Sequence, residues 1–293
     1  MPATYLLPLW AVHISDGILT WPWLTGGFAV AAVLAVFGSW RIQDEEIPQV
    51  AVLTAVFFIA SQIHVRVPPS SVHLLLNGLL GLVLGRRAAL AIPVGLFLQA
   101  ALFSHGGFTT LGINSCVMVL PALLAWQLFG LLQGISWVRH GWGRSALVAI
   151  SVILWLLCLL YGVMLLLQQT RFGWRSQEIW QAMPLMLAVV FALGLAAAWL
   201  ERRLDHAPEF PLGLLIGQVS VLATTFLNCL VLAWGGQESW QTLAQIVFVA
   251  HLPVAVVEGI ILGFTVGFLA RVKPEMLRWA PPEEAQCPAD VLS

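Results

Sequence analysis

Histidine is the residue type in this chain whose chemistry stands out. Seven histidines occur in a sequence that is 60% hydrophobic, and neutral imidazole is the commonest metal ligand in proteins. Four of them fall in connections that we interpret as lying on one side of a membrane: His13, His64, His73 and His105. A lone histidine near a membrane surface is more often an ordinary interfacial residue. Four imidazoles from separate segments could instead converge on one transition metal ion.

Three of these histidines share a short motif with another polar residue. The pairs are His13 with Asp16, His73 with Asn77, and His105 with Asn114. The third motif, HGGFTTLGIN, contains Gly106 and Gly107, which allow the backbone to approach a ligand closely or to turn with a positive φ. The alternative interpretation of this segment is an ordinary turn.

A fourth motif, in the last apolar segment, contains a histidine and a carboxylate. His251 and Glu258 are seven residues apart, which places them on one face of a helix, two turns from each other. A glutamate inside a membrane is costly unless it is paired or lies in a wet cavity, so it is a candidate site-supporting or gating residue. A structural ion pair or hydrogen-bonded pair is the alternative, and the residues do not decide between them.

The composition determines the elements that must position these side chains. Only 9% of the 293 residues are charged, against about 25% in soluble domains, and lipid permits only helices or closed barrels to span it. We therefore predict an all-α, polytopic transmembrane bundle. The net charge of −1 leaves no basic surface for nucleic acid. The four cysteines are widely scattered, which argues against a disulfide framework.

Apolar runs separated by polar or Gly/Pro breaks predict eight or nine spans. The candidates are approximately 21–40, 48–64, 73–85, 88–103, 112–133, 145–168, 182–200, 212–234 and 241–270. The third and fourth are short, so they could be buried helices or a re-entrant pair. We treat 12–279 as one transmembrane domain, 1–11 as an apolar leader and 280–293 as a short disordered cytoplasmic tail.

Basic residues predict the orientation. With nine spans and the C-terminus inside, only three of the 13 Lys and Arg residues lie outside, namely Arg66, Arg171 and Arg175. We therefore expect the N-terminus outside and the C-terminus in the cytoplasm of a bacterial inner membrane. The sequence contains no P-loop, so any pumping would need energy from a partner.

Together the four motifs resemble, in order and wording, those of the CbiM/NikM family, the substrate-specific membrane components of energy-coupling factor transporters for cobalt or nickel. The resemblance covers the segments from His13 to His105 and from Ile246 to about Leu277. It implies Co²⁺ or Ni²⁺ as the transported ion, and no prosthetic group. It also implies an integral coupling (T) subunit, ATPase (A) subunits and a small auxiliary membrane subunit as partners. The segment from about 134 to 240 carries no family motif, and typical members have six or seven spans.

The resemblance also implies a set of nitrogen ligands. In the family these are the terminal amine, the second residue's backbone nitrogen and imidazole, and a second histidine, which here correspond to Val12, His13 and His73. Such a planar nitrogen field suits Ni²⁺ and can be adapted to Co²⁺. Here eleven residues precede Val12. Since GTG encodes valine internally but methionine at a bacterial start, we expect translation to start at Val12, which would restore the amine ligand. If Met1 is the true start, His64 or His105 would have to complete the set.

Two other functions remain open at this stage. The first is an intramembrane hydrolase with Ser115 as nucleophile, although no H-E-x-x-H motif occurs and no base stands at a defined spacing. The second is a structural or sensory membrane protein whose histidines are only interfacial.

Overall fold

A computed structural model describes residues 13–67, 70–139, 141–169, 176–204, 209–237 and 241–277, and the fold is an all-helical bundle. The helices are α1 (Trp21–Ser39), α2 (Ile47–Ala60), α3 (Asn77–Leu84), α4 (Ala88–Phe103), α5 (Leu111–Gln133), α6 (Ser136–Arg139), α7 (Gly141–Gln169), α8 (Ser176–Leu204), α9 (Phe210–Gly235) and α10 (Gln241–Val272). Short 3₁₀ turns cover Asp44–Glu46, Gly85–Arg87 and Pro274–Leu277.

One small β-hairpin interrupts the helices. Strand β1 (His64–Val67) pairs antiparallel with β2 (Ser70–His73), and His64 is opposite His73 in the register. The sequence analysis did not predict this hairpin, because two strands of four residues are too short to show a clear alternation. Its consequence is that the second apolar segment ends as a helix at Ala60 rather than continuing to residue 64.

Among the described residues, seven stretches are long and apolar enough to cross a membrane. They are Trp21–Ser39, Asn77–Phe103, Leu111–Gln133, Gly141–Leu165, Met183–Arg203, Phe210–Gly235 and Ala244–Val272. The predicted segment 48–64 is not among them because α2 has 14 residues, a length of about 21 Å against a hydrocarbon core of about 30 Å. The predicted segments 73–85 and 88–103 fall within a single stretch.

That stretch, Asn77–Phe103, is folded back on itself. His73 precedes α3 and His105 follows α4, yet their ring centroids are 5.4 Å apart. A straight helix of the same length would be about 40 Å long. The chain therefore reverses at the 3₁₀ turn, where Gly85 has a φ of +55°, a conformation that favours glycine. The short third and fourth segments thus form a helical hairpin, and its placement in a membrane as a re-entrant pair stays a prediction.

Arg87 ties this turn to the connection between α1 and α2. Its guanidinium donates to the carbonyls of Gly38 at 2.7 Å, Trp40 at 2.8 Å and Arg41 at 2.8 Å, and to the Glu46 carboxylate at 2.6 Å. The Arg87 side chain is 4% exposed, so these bonds satisfy a buried charge. The two connections consequently lie at one end of the bundle, as the distribution of basic residues predicted.

The opposite end of the bundle brings the segment before α1 against the end of α9. Thr20 donates its backbone N–H to Gly235 at 2.9 Å, and Gln237 donates to Ile18 at 2.9 Å. The sequence analysis assigned both segments to the outside. The assignment of this end to the outside of a membrane stays a prediction.

Small residues bring α9 and α10 into close contact. A Cβ on Gly217 would lie 2.8 Å from the Cα of Gly259, and one on Gly213 would lie 2.7 Å from the Cα of Gly263. Side chains at these positions would force the helices apart. The close contact holds this part of α10, including the adjoining Glu258, against α9.

We expect Arg87→Ala to destabilise the protein by about 3 kcal/mol, because it leaves a carboxylate and three carbonyls without their shared donor. Thermal unfolding in detergent would measure this loss. Arg86→Ala is the matched control, since it removes a neighbouring guanidinium outside this set of hydrogen bonds, and we expect a change below about 0.5 kcal/mol. Equal losses for the two variants would contradict the assignment.

The same contact makes a prediction about pH. The guanidinium of Arg87, together with the backbone N–H of Gln43, holds the pKa of Glu46 below its ordinary value of 4.5. A lowered pKa means that this stabilisation is present above the ordinary value and is lost as pH falls through the folded-state pKa. The stability difference between the wild type and Arg87→Ala should therefore shrink below a pH of about 4, as unfolding at a series of pH values would measure.

Candidate metal site

Three imidazoles from separate parts of the chain meet at one end of the bundle. Ring nitrogens of His13, His73 and His105 lie within 4.8 Å of one another, and the ring centroids are 5.0 to 5.4 Å apart. Two nitrogens bound to one metal ion at about 2.1 Å each are separated by at most about 4.2 Å. Only small ring movements would bring the three nitrogens onto a shared ion.

The cluster is largely shielded from solvent. His13 is 3% exposed and His73 is 2% exposed, whereas His105 is half-buried. An ion bound by all three rings would therefore lose most of its hydration shell, and His105 forms the more accessible side of the cluster.

Asn114 on α5 holds the backbone next to His13. Its side-chain oxygen accepts from the Ile14 N–H at 3.0 Å, and its amide nitrogen donates to the Ile14 carbonyl at 2.9 Å. The Thr110 hydroxyl donates to the same carbonyl at 2.7 Å. Because both polar groups of Ile14 are bonded, the non-helical segment that carries His13 has a defined position.

Asp16 joins this segment to the loop after His105. Its carboxylate accepts from the backbone N–H groups of Phe108 at 3.2 Å, Thr109 at 2.9 Å and Thr110 at 3.3 Å, and from the Thr109 hydroxyl. A Cβ on Gly107 would overlap this carboxylate, so the approach requires glycine. Asp16 is thus occupied by the loop and connects two of the histidine-bearing segments.

A carboxylate on α10 holds the segment after His73. The Nδ1 atom of His73 lies 2.8 Å from the Leu74 carbonyl oxygen. Since a carbonyl only accepts, Nδ1 carries the proton in the neutral ring and Nε2 carries the lone pair. The Glu258 carboxylate of α10 accepts from the backbone N–H groups of Leu75 and Leu76, the latter at 3.0 Å.

Asn77 fixes the start of α3. Its amide donates to the Thr224 hydroxyl at 2.6 Å, and its side-chain oxygen accepts from the Ser220 hydroxyl at 3.1 Å. All three residues are fully or almost fully buried. Thr224 and Ser220 lie one turn apart on α9, so this helix positions the segment that follows His73.

The other predicted histidines and Val12 are not among the described residues that form the three-histidine cluster. Val12 lies outside the described residues, and the side chain of His64 is not described, although its backbone is opposite His73 in the hairpin. His251 is buried in α10 outside the three-histidine cluster, and its Nδ1 donates to the carbonyl of Val247 at 2.6 Å. His251 and Glu258 therefore have separate partners rather than pairing with each other.

Sequence reasoning missed several of the supporting residues. Thr110 lies inside the motif HGGFTTLGIN but was not itself singled out. Ser220 and Thr224 were not considered, although hydroxyl groups one turn apart in an apolar segment are a signal of an interior polar contact. Ser115, the candidate nucleophile, is buried in α5.

The chain matches a known family along most of its length. The matching family model is described as "Cobalt uptake substrate-specific transmembrane region" (CbiM), and it aligns with residues 13–201 and 181–276.

Two relatives are more than 30% identical over shorter parts of the chain. A provisionally named metal transport protein of Haemophilus influenzae is 44% identical over 118 residues, which is 40% of this chain and 57% of that protein. The cobalt transport protein CbiM of Geobacter sulfurreducens is 32% identical over 152 residues, 48% of this chain and 43% of that protein. The chain thus spans about half the length of these two relatives.

A solved structure shares the fold. A crystal structure of a transition metal transporter aligns with 91% of this chain and 96% of its own, with a TM-score of 0.50 and 20% sequence identity. At that identity the likeness concerns the arrangement of the helices.

We expect Asp16→Asn to loosen the loop after His105, because the amide replaces an oxygen that accepts backbone N–H groups with a group that donates. Hydrogen exchange at Phe108, Thr109 and Thr110 should become at least about tenfold faster, equivalent to a loss of about 1.4 kcal/mol. Asp44→Asn, in the connection at the other end of the bundle, is the control. Unchanged exchange in Asp16→Asn would show that the carboxylate does not hold the loop.

Proposed function

Because this chain belongs to the CbiM family of cobalt uptake substrate-specific transmembrane regions, we propose that it is the metal-binding membrane subunit of an importer for Co²⁺ or Ni²⁺. The observation that carries the proposal is the convergence of His13, His73 and His105 within 4.8 Å. The ion is cargo that binds and leaves, and we propose no prosthetic group and no catalysis.

The donor atoms favour this class of ion. Neutral imidazole nitrogens suit the late divalent transition metals, whereas Mg²⁺ and Ca²⁺ prefer oxygen ligands. The nearby carboxylate of Asp16 already accepts hydrogen bonds from the loop, which leaves nitrogen as the donor type at the cluster. This supports a site that discriminates against the abundant oxygen-binding cations.

We propose His13 and His73 as the principal ligands, together with an amine at Val12 as the family resemblance implies. His105 is the alternative third donor, since its ring is next to both other rings. His64 remains a further alternative through its place in the hairpin. Asp16, Asn77, Asn114 and Glu258 would act as supporting residues, and His251 as a gating candidate within α10.

The burial gradient suggests how the ion is captured. The half-buried His105 would be reached first from the outer side, and the ion would then pass to the more deeply buried rings. The loop that follows His105 is fastened to the His13 segment through Asp16. Formation of that contact would close the site and replace the water ligands of the ion with nitrogen.

We further propose that the chain works in a bacterial cytoplasmic membrane as part of an energy-coupling factor complex. Seven apolar stretches among the described residues support a multi-pass arrangement. The family resemblance supports an integral coupling subunit, ATPase subunits and a small auxiliary membrane subunit as partners. The ATPase subunits would supply the energy for transport.

His13→Ala and His73→Ala test the proposed ligands. Each should weaken binding of Co²⁺ and Ni²⁺ to the purified protein by more than about 100-fold, since removing even an outer partner of a ligand costs 10- to 100-fold. Titration calorimetry and metal analysis after desalting would measure this. His206→Ala is the control, because the sequence places it in a connection on the other side. Wild-type affinity in both ligand variants would refute the proposal.

A further inference from the structure

Glu258 and His73 are hydrogen-bonded to the two sides of one peptide group. The carbonyl of Leu74 and the N–H of Leu75 belong to the same peptide unit. His73 donates from Nδ1 to that carbonyl at 2.8 Å, and Glu258 accepts from that N–H. The carboxylate on α10 is thereby connected to the imidazole through a single planar, polarisable group.

This arrangement resembles in its physics the carboxylate–histidine pairs that support metal ligands. A metal-binding histidine usually donates its other ring nitrogen to a carboxylate or a carbonyl, which fixes its tautomer and raises its basicity. Here the carbonyl makes the direct contact, and a negative charge lies at the N–H end of the same peptide. Hydrogen bonds in a chain polarise one another, so the charge strengthens the carbonyl as an acceptor.

The surroundings of Glu258 leave its field at the peptide little screened by solvent. The residue is 4% exposed, and neither ion pair among the described residues involves it, since they join Arg87 to Glu46 and Arg144 to Glu201. Its contacts with two consecutive backbone N–H groups are therefore the interactions that compensate its burial. Low local polarity also reduces the screening of its field at the peptide.

The backbone conformation after His73 depends on the same contact. Leu76 has a φ of +48°, a left-handed conformation that is unfavourable for a leucine. The N–H groups of Leu75 and Leu76 both point at one carboxylate oxygen of Glu258. The carboxylate thus holds the turn between His73 and α3 in its unusual shape.

We propose that Glu258 is a positioning residue that controls the tautomer, orientation and donor strength of His73 through the Leu74–Leu75 peptide. Among the described residues, Glu258 is not part of the group whose ligand atoms converge, so we assign it no role as a metal ligand. The proposal rests on the function proposed above, because it assigns to Glu258 a role in tuning one of the metal ligands. It also explains why a carboxylate is kept at this depth in an apolar helix.

The test is Glu258→Gln, which keeps the shape and one accepting oxygen but removes the charge. We expect Co²⁺ to bind about tenfold more weakly, at the lower end of the 10- to 100-fold range for outer partners of a ligand. We also expect a shifted absorption spectrum of bound Co²⁺, because a weaker donor at His73 changes the ligand field. Glu201→Gln is the matched control: Glu201 is a buried carboxylate paired with Arg144, and its loss should leave affinity and spectrum unchanged.

A second measurement needs no metal. ¹⁵N chemical shifts of the His73 ring should show a single tautomer with the proton on Nδ1 in the wild type and a mixture of tautomers in Glu258→Gln. An unchanged tautomer or an unchanged affinity in that variant would overturn the proposal, and so would an equal loss of affinity in Glu201→Gln. Should the glutamine variant fail to fold, Glu258→Asp carries the same test, since it withdraws the carboxylate by one methylene.

The two proposals fail in different ways. If His13→Ala and His73→Ala both bind Co²⁺ normally, the proposed metal site is wrong. If His73→Ala abolishes binding while Glu258→Gln behaves as the wild type, the metal site stands and the role of Glu258 is wrong.

Discussion

Backbone N–H and C=O groups that are buried away from water need hydrogen-bond partners, and in this bundle that need is greatest where the chain is not helical. The segments that carry His13, His73 and His105 all leave helical geometry. Each is then bonded by side chains from elsewhere: Asn114 and Thr110 bind Ile14, Asp16 binds the loop at 108–110, and Glu258 binds Leu75 and Leu76. The polar residues around the cluster therefore allow non-helical chain to be buried inside the bundle.

The chain reverses direction between successive helices, and these reversals bring the histidine-bearing segments together. The α3–α4 pair turns at Gly85–Arg87, so its two open ends return to the histidine cluster. Close packing of α9 against α10 through glycines presents Glu258 to the segment after His73, while α9 supplies Ser220 and Thr224 to Asn77. The segment after His73 is thus supported by both helices of this pair. This explains how motifs far apart in the sequence contribute to one site.

Much of the fold could be predicted from hydropathy, because apolar length alone specifies where a chain can cross a lipid bilayer. The division into two short helices was also within reach, since Arg86 and Arg87 split an apolar run. The β-hairpin and the shortness of α2 were not, because local composition near residues 61–67 does not distinguish a fraying helix from a strand. The ion pair of Arg87 with Glu46 joins residues 41 positions apart, a distance over which one sequence carries no pairing signal. For the candidate site, the motifs supplied the histidines, but the convergence of His105 with His13 and His73 needed the fold.

The hairpin of α3 and α4 has a mechanical consequence. At its closed end, Arg87 donates a hydrogen bond to the end of α1. At its open end, the two helices lead to His73 and His105. The turn between the two helices therefore lies at one end of the bundle, and their open ends lie near the other end. Any splaying of the two helices would change the separation of these two imidazoles, while His13 stays fastened to α5 through Asn114. The rigidity of the histidine cluster consequently depends in part on the hydrogen bonds of the Arg87 guanidinium at the opposite end of the bundle.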